Sequence, residues 1–149
     1  MVDLSEKNRE RACKATTIAL LILVIIISIW PFLTPYAPYA NGNDTEFHVT
    51  RIHYLAQALA NGDFPARMQA GWLNNSGYPI SIMYGDLLLY PAAFCVLLGM
   101  SITEAYNATI IVTNIASTLI AYASFKVISK SRMASTVGTT VWILSYMHL

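Results

Sequence analysis

The chain has 149 residues, of which 56% are hydrophobic and 11% charged, whereas about 25% of the residues in soluble domains carry a charge. This composition argues against a soluble globular protein. The net charge of +1 excludes the basic surface that nucleic-acid binding requires, so no nucleic-acid partner is expected. Cys13 and Cys95 have no CxxC or His-rich companion, so neither a disulfide framework nor a zinc site is predicted.

The first apolar segment predicts a transmembrane helix over residues 15–33. It is uncharged and mostly aliphatic, and would form roughly 28 Å of helix at about 1.5 Å per residue. A cleaved signal peptide is the alternative, but it would end in small residues, whereas Trp30-Pro31-Phe32 follows here. The preceding tail, residues 1–14, carries Lys7, Arg9, Arg11 and Lys14. By the positive-inside rule this tail is cytoplasmic and the chain belongs to the cell membrane.

The next segment, residues 34–86, has ordinary polarity and predicts an extracytoplasmic loop. Within it, residues 44–61 predict a helix, with Asp44 or Thr45 as its N-cap and Gly62 as the stop signal. Apolar and half-polar positions recur on one face of this helix: His48, Ile52, Leu55 and Leu59. We therefore expect an amphipathic helix that lies along the membrane surface.

The remaining apolar sequence predicts one partial and two further membrane segments. Residues 87–100 would form only roughly 21 Å of helix, too short to cross a bilayer, and indicate a juxtamembrane or re-entrant helix. Residues 101–128 predict a transmembrane helix that begins with a Ser101–Glu104 capping box. This arrangement keeps the following cations cytoplasmic. Residues 133–149 predict a third transmembrane helix, which looks truncated.

Polar side chains in the second predicted span indicate contact with protein rather than lipid alone. Asn107, Asn114 and Ser117 lie near one face of it, and polar groups inside a membrane seek hydrogen-bonding partners. The expected partners are further membrane helices, of this chain or another, together with membrane lipids. The sequence therefore predicts the front part of a larger multi-pass protein, or a chain that needs partner subunits.

The densest polar group lies at the start of the outer-loop helix. Asp44, His48 and Arg51 share one helical face, and a carboxylate beside an imidazole can act as a base or a metal ligand. The alternative is that Asp44 only caps the helix. The cations of this loop, Arg51 and Arg67, can each bind a lipid phosphate. The alternative is a loop salt bridge with Asp63 or Asp86.

Residues 41–101 also resemble the first outer loop of bacterial YfhO-type membrane proteins, within the GT-C glycosyltransferase superfamily. The resemblance rests on four groups of residues, which are Asp44 with Phe47-His48 and Arg51-Ile52, Gly62-x-Phe64-Pro65-x-Arg67, Gly77-Tyr78, and Tyr84 followed by Leu89-Tyr90-Pro91-Ala92. Full members have many more membrane helices than this chain, so a fragment would lack part of any acceptor and lipid site.

This resemblance implies an all-α membrane protein, a GT-C-like amino-terminal portion with about three transmembrane helices. The implied activity is transfer of a sugar from a polyprenyl-phosphate donor to a cell-envelope acceptor on the outer face. Asp44 and His48 would be catalytic, and Asp44 with Glu46 would hold a divalent ion, Mg²⁺ or Mn²⁺. The substrate-binding residues would be Arg51, Arg67 and Tyr84. The alternative function is a non-catalytic membrane assembly subunit.

Overall fold

A computed structural model of the chain describes residues 4–33 and 44–146. Within these ranges there is no β-strand, and the longer elements are α1 (Leu4–Ile29), α2 (Thr45–Ala60), α3 (Tyr90–Leu97), α4 (Ile102–Ser129) and α5 (Arg132–Tyr146). A 3-10 turn, Trp30–Leu33, follows α1, and two single helical turns, Trp72–Asn75 and Ile80–Met83, lie between α2 and α3. The all-helical part of the predicted fold class is therefore confirmed.

The helix boundaries follow the predicted ones most closely where a capping signal is present. α2 begins directly after Asp44 and ends before Asn61 and Gly62, whose φ of 86° permits the turn that follows. At the start of α4 the capping box is formed. The Ser101 N–H donates to Glu104 Oε2 at 3.0 Å, and the Glu104 N–H donates to Ser101 Oγ at 3.3 Å.

Other boundaries differ from the prediction. α1 begins at Leu4, so the charged tail and the apolar segment form one continuous helix, because Glu, Lys and Arg are good helix formers. α3 covers only part of predicted segment 87–100, since the chain turns at Gly99 with a φ of 100°. Residues 34–43 of the predicted loop and 147–149 of the predicted third span lie outside the described residues.

Among the described residues, two helices are long and apolar enough to cross a membrane, namely Glu6–Leu33 and Ile102–Ser129. Each has 28 residues, roughly 42 Å of helix, against a hydrocarbon thickness of about 30 Å. By length and composition this pair fits a membrane protein. α5 has 15 residues and is not one of the two, so the count of about three spans is not confirmed within the described residues.

The chain divides into two compact units, the first made of Met1–Pro31 with Val112–Leu149 and the second of Phe32–Ile111. In the first unit α1 packs against α5, and Glu10 of α1 forms an ion pair with Arg132 of α5 at 3.3 Å. Small or hydroxyl-bearing side chains are buried on α1 and on α5, namely Thr17, Val24, Ser28, Ser135, Thr136 and Thr139. The hydroxyls of Thr136 and Thr139 donate to carbonyls one turn earlier, which satisfies them inside the helix.

In the second unit α2 packs against α3 and the start of α4. Ile52 and Leu55 of α2 are fully buried, and Ala92 and Ala93 of α3 are small enough to let the two helices approach closely. The predicted apolar face of α2 is therefore confirmed, and its predicted position along the membrane surface stays a prediction, although this face is not free to contact lipid. Protein covers it instead, because α3 supplies a complementary apolar surface.

One glycine of the second unit leaves room for an aromatic ring. A Cβ built on Gly71 would lie 1.9 Å from Tyr54 Cε1, and the Tyr54 ring is itself packed 5.8 Å from the Trp72 ring, centroid to centroid. By contrast, a Cβ on Gly85 meets nothing within 4 Å. The two glycines thus form a matched pair for testing the packing around Tyr54.

We expect Gly71→Ala to lower the free energy of unfolding by about 1–3 kcal/mol, because the Tyr54 ring must move out of its packed position. Gly85→Ala should change it by less than about 0.5 kcal/mol. Chemical unfolding in a mild detergent, followed by circular dichroism, measures both. Equal stability of the two variants would contradict the packing described here.

Candidate functional site

The centre of the second unit is a buried ion pair between Arg51 of α2 and Asp86. Arg51 is 2% exposed and Asp86 is 6% exposed. Nη2 of Arg51 donates to Oδ1 of Asp86 and also to the carbonyls of Tyr84 at 3.3 Å and Gly85 at 3.2 Å. One guanidinium therefore holds three consecutive residues of the segment before α3. Of the two alternatives for Arg51, the structure shows the loop salt bridge with Asp86.

Aromatic rings cover the remaining faces of this guanidinium. Cζ of Arg51 lies 5.5 Å from the Phe47 ring centroid and 5.6 Å from the Tyr84 ring centroid, distances at which a cation is attracted to the electron-rich face of a ring. The Phe47 ring also lies 5.9 Å from Trp72. Tyr84, predicted to bind substrate, therefore packs over Arg51, and half of its surface stays exposed.

Asp44 occupies the N-cap position of α2 but does not act as a side-chain cap. Its carboxylate makes no capping hydrogen bond, although its carbonyl accepts from the His48 N–H at 3.0 Å. Asp44 is exposed, and Glu46, two residues further on, is exposed as well. The prediction that Asp44 marks the start of α2 is confirmed, and its carboxylate remains accessible from solution.

His48 is half-buried one turn after Asp44. Its Nδ1 is buried and makes no hydrogen bond with the described residues. The pKa of His48 lies below its ordinary value, first because burial disfavours the charged ring and second because Arg51 is close, while Asp44 acts in the opposite direction. Asp44, His48 and Arg51 are thus electrostatically connected, as their shared helical face predicts, and their surroundings favour the neutral form of the His48 ring.

The residues predicted to hold a divalent ion, Asp44 and Glu46, do not converge on one point, and the ion stays a prediction. Asp44 and Glu46 are two positions apart at the start of a helix, so their side chains diverge around its axis. Among the residues that the structure describes, no group of three His, Cys, Asp or Glu side chains could hold a metal ion. The chemistry considered below therefore contains no step through a metal.

Arg67 lies in a different setting from Arg51. It is exposed and lines an open pocket of about 400 Å³, together with Pro65, Ala66, Ser81, Ile82, Asp86 and Tyr90. Within the described part of the chain Arg67 forms no ion pair with a carboxylate. Of the two alternatives for this residue, the salt bridge with Asp63 or Asp86 is thus not formed, and the guanidinium is available to a ligand.

The pocket wall around Ser81 is held by a buried amide. Gln69 is fully buried, and a two-way backbone pairing with Tyr78, at 3.0 and 3.1 Å, fixes its position. The Trp72 indole N–H donates to Gln69 Oε1 at 2.7 Å, and Gln69 Nε2 donates to Ser81 Oγ at 3.3 Å. Because an indole nitrogen can only donate, this contact also fixes the orientation of the amide.

The structure thus brings together some of the predicted site residues and separates others. Arg51 and Tyr84 are engaged by the protein itself, Arg67 lines the pocket, and Asp44 and Glu46 are exposed at the start of α2. Sequence reasoning missed two pocket residues, Ser81 and Tyr90, and the buried Gln69 that contacts Ser81. For Tyr90 there was a signal, since it precedes Pro91 at a helix start, whereas nothing local distinguishes the other two.

Comparisons of the chain with protein-family models, with curated proteins and with solved structures find no match. The site is therefore interpreted from its own geometry.

We expect Arg51→Met to lower the free energy of unfolding by about 3–5 kcal/mol, because it leaves the Asp86 carboxylate buried without a partner. Arg67→Met removes the same charged group from an exposed position and should change stability by less than about 0.5 kcal/mol. Denaturant titration of both variants in the same detergent provides the comparison. A loss at Arg51 no larger than at Arg67 would contradict the buried pair.

The lowered pKa of His48 has a consequence for stability against pH. The unfolded chain binds a proton at this residue more readily than the folded chain, so the contribution of His48 is present above the ordinary histidine pKa of about 6.5 and is lost as the pH falls below it. His48→Gln should flatten the decline in unfolding temperature between about pH 7 and pH 5. His53→Gln, on the same helix, is the control, and an equal effect of both variants would contradict this assignment.

Proposed function

We propose that the chain is a membrane glycosyltransferase, or the amino-terminal part of one, which moves a sugar from a polyprenyl-phosphate donor to a cell-envelope acceptor on the outer face. The single observation that supports this most is the Asp44 carboxylate, exposed at the start of α2 and not used in capping. A carboxylate that acts as the catalytic base must be accessible to the acceptor hydroxyl whose proton it takes. Arg67, which lines the open pocket, lies in the same unit.

In the proposed reaction Asp44 takes the proton of the acceptor hydroxyl as that oxygen bonds to the anomeric carbon of the sugar. The bond between this carbon and the phosphate oxygen breaks, and the electron pair leaves with the phosphate. Arg67 stabilises the leaving phosphate by charge-assisted hydrogen bonds. His48, whose surroundings favour the neutral ring and which lies one turn from Asp44, orients the carboxylate or contacts the substrate.

The membrane arrangement is part of the same proposal. We place the amino terminus in the cytoplasm, because Lys7, Arg9, Arg11 and Lys14 cluster before the apolar part of α1. With α4 also crossing, the chain is a multi-pass protein of the cell membrane. The residues around Arg67 then lie at the outer surface, where the headgroup of a lipid-linked sugar is found.

A second candidate function is a non-catalytic membrane assembly subunit. An open groove of about 510 Å³ in the first unit favours it, since its lining is dominated by small side chains that would admit another helix, including Ala116, Ser117, Ala121 and Ser124. In this case the partners are further membrane helices, of the same chain or of another, and Asp44 has no catalytic part.

The two candidates differ in what Asp44→Asn does. Asparagine is as good a residue as aspartate at an N-cap, so expression and unfolding temperature should stay close to those of the unchanged protein. If Asp44 is the base, removal of its charge lowers turnover by about a hundredfold or more. The measurement is sugar transfer by the full-length protein in membranes supplied with polyprenyl-phosphate sugar.

Glu46→Gln is the matched control, because Glu46 is an exposed carboxylate on the same helix. It should retain nearly full transfer. Loss of transfer in Glu46→Gln with retention in Asp44→Asn would move the base to Glu46. Retention in both variants would favour the assembly subunit.

A further inference from the structure

We propose that the pocket beside Arg67 is a binding site for the single negative charge of a phosphodiester, formed by three hydrogen-bond donors. These are the guanidinium of Arg67 and the hydroxyls of Ser81 and Tyr90, which all line the pocket. The identity of the lipid that carries the phosphodiester rests on the proposed function. The anion site itself rests on the geometry below.

The hydroxyl of Ser81 is directed by the buried amide behind it. Because the Trp72 N–H occupies Gln69 Oε1, the Gln69 side chain must present its N–H₂ group to Ser81. Ser81 Oγ therefore accepts from the protein, and its own proton has no acceptor among the described residues. The pocket is the place where that proton can be donated.

Tyr90 is arranged in the same way by a different group. The backbone N–H of Ala66 donates to the Tyr90 hydroxyl at 3.1 Å, so this oxygen also accepts from the protein. Its proton likewise has no acceptor within the described part of the chain. Two hydroxyls from different elements, together with an unpaired guanidinium, thus give the pocket three donors, a set that suits phosphate oxygens.

The charge of the pocket limits what it can bind. Asp86 also lines it, but its charge is balanced by the buried Arg51. Arg67 therefore leaves a net charge of one positive unit, which one negative charge neutralises. A phosphodiester carries one negative charge, whereas a phosphomonoester carries up to two near neutral pH. The charge balance favours the diester.

The surroundings indicate that this diester belongs to a lipid. Ile82 lines the pocket and is 69% exposed, and the residues next to the lining in sequence, Phe64 and Leu87, are 70% and 81% exposed. These side chains give the pocket and the chain on either side of it an exposed apolar margin, which suits the hydrocarbon chains of a lipid. A phosphodiester with hydrocarbon chains satisfies both the donors and the apolar margin.

The test is calorimetric titration of the purified full chain in a neutral detergent with dihexanoylphosphatidylglycerol, a monoanionic phosphodiester lipid. Dihexanoylphosphatidylcholine is the zwitterionic comparison, glycerophosphoglycerol presents the same diester without chains, and inorganic phosphate presents more charge. We expect the phosphatidylglycerol to bind more tightly than each of these. Tighter binding of inorganic phosphate or of phosphatidylcholine would overturn the proposal, whereas equal binding of glycerophosphoglycerol would keep the anion site and remove the lipid.

Two variants measure how much individual donors contribute to phosphatidylglycerol binding, and a third is the control. Arg67→Gln should weaken phosphatidylglycerol binding about tenfold or more, and Ser81→Ala about threefold to tenfold. Arg11→Gln removes the same charge from an exposed position outside the pocket and should change affinity by less than about twofold. Equal effects of Arg67→Gln and Arg11→Gln, or no effect of Ser81→Ala, would overturn the three-donor site.

The outcomes separate this inference from the proposed function. Lipid binding that depends on Arg67 and Ser81, with no sugar transfer by the full-length protein, would contradict the glycosyltransferase alone. Sugar transfer by the unchanged protein, with no preference for the diester in titration and no dependence of binding on Arg67 or Ser81, would contradict the anion site and the contribution of Arg67. The glycosyltransferase with Asp44 as its base would then still stand.

Discussion

The arrangement of the second unit depends on the buried contact between Arg51 and Asp86. Two opposite charges removed from water stabilise a fold only while both are present, because either one alone would remain buried and uncompensated. Through this contact α2 holds the segment that precedes α3. The carbonyl of Asp86 then accepts the N–H groups of Leu89 and Tyr90 at 2.8 and 3.1 Å, so the same residue starts α3 and fixes where Tyr90 enters the pocket wall.

This pair also distinguishes two kinds of charged residue in the unit, those that stabilise the fold and those that remain accessible to a ligand. Arg51 and Asp86 neutralise each other in the interior, while Arg67 and Asp44 remain exposed in the same unit. The Asp86 carboxylate is buried and engaged by Arg51, so it is poorly placed to contact a substrate hydroxyl. The exposed Asp44 has no such restraint, which is why the proposed chemistry assigns the base to it and the phosphate contact to Arg67.

The sequence predicts those parts of the fold that local rules decide. The end of α2 follows from Gly62, and the start of α4 follows from the Ser101–Glu104 capping box. The start of α2 falls directly after Asp44 as predicted, although the Asp44 side chain makes no capping hydrogen bond. The apolar face of α2 follows from periodicity, but what covers that face is a tertiary property. The sequence could not show that α3 covers this face rather than lipid.

The site is less predictable because long-range contacts decide it. Sequence alone leaves Arg51 and Arg67 equivalent, each able to pair with a loop carboxylate or a phosphate. The fold separates them by burying Arg51 against Asp86, which is 35 positions away. Likewise Gln69 directs Ser81 only because a backbone pairing with Tyr78 closes the intervening loop. No local sequence pattern predicts the backbone pairing between Gln69 and Tyr78.

The most direct test of this account is a double-mutant cycle on Arg51 and Asp86, with Arg51→Met, Asp86→Leu and the double variant compared by denaturant unfolding. We expect a coupling free energy of about 2 kcal/mol or more, since the double variant buries no unpaired charge. Additive losses, within about 0.5 kcal/mol, would contradict the claim that this pair holds the second unit together.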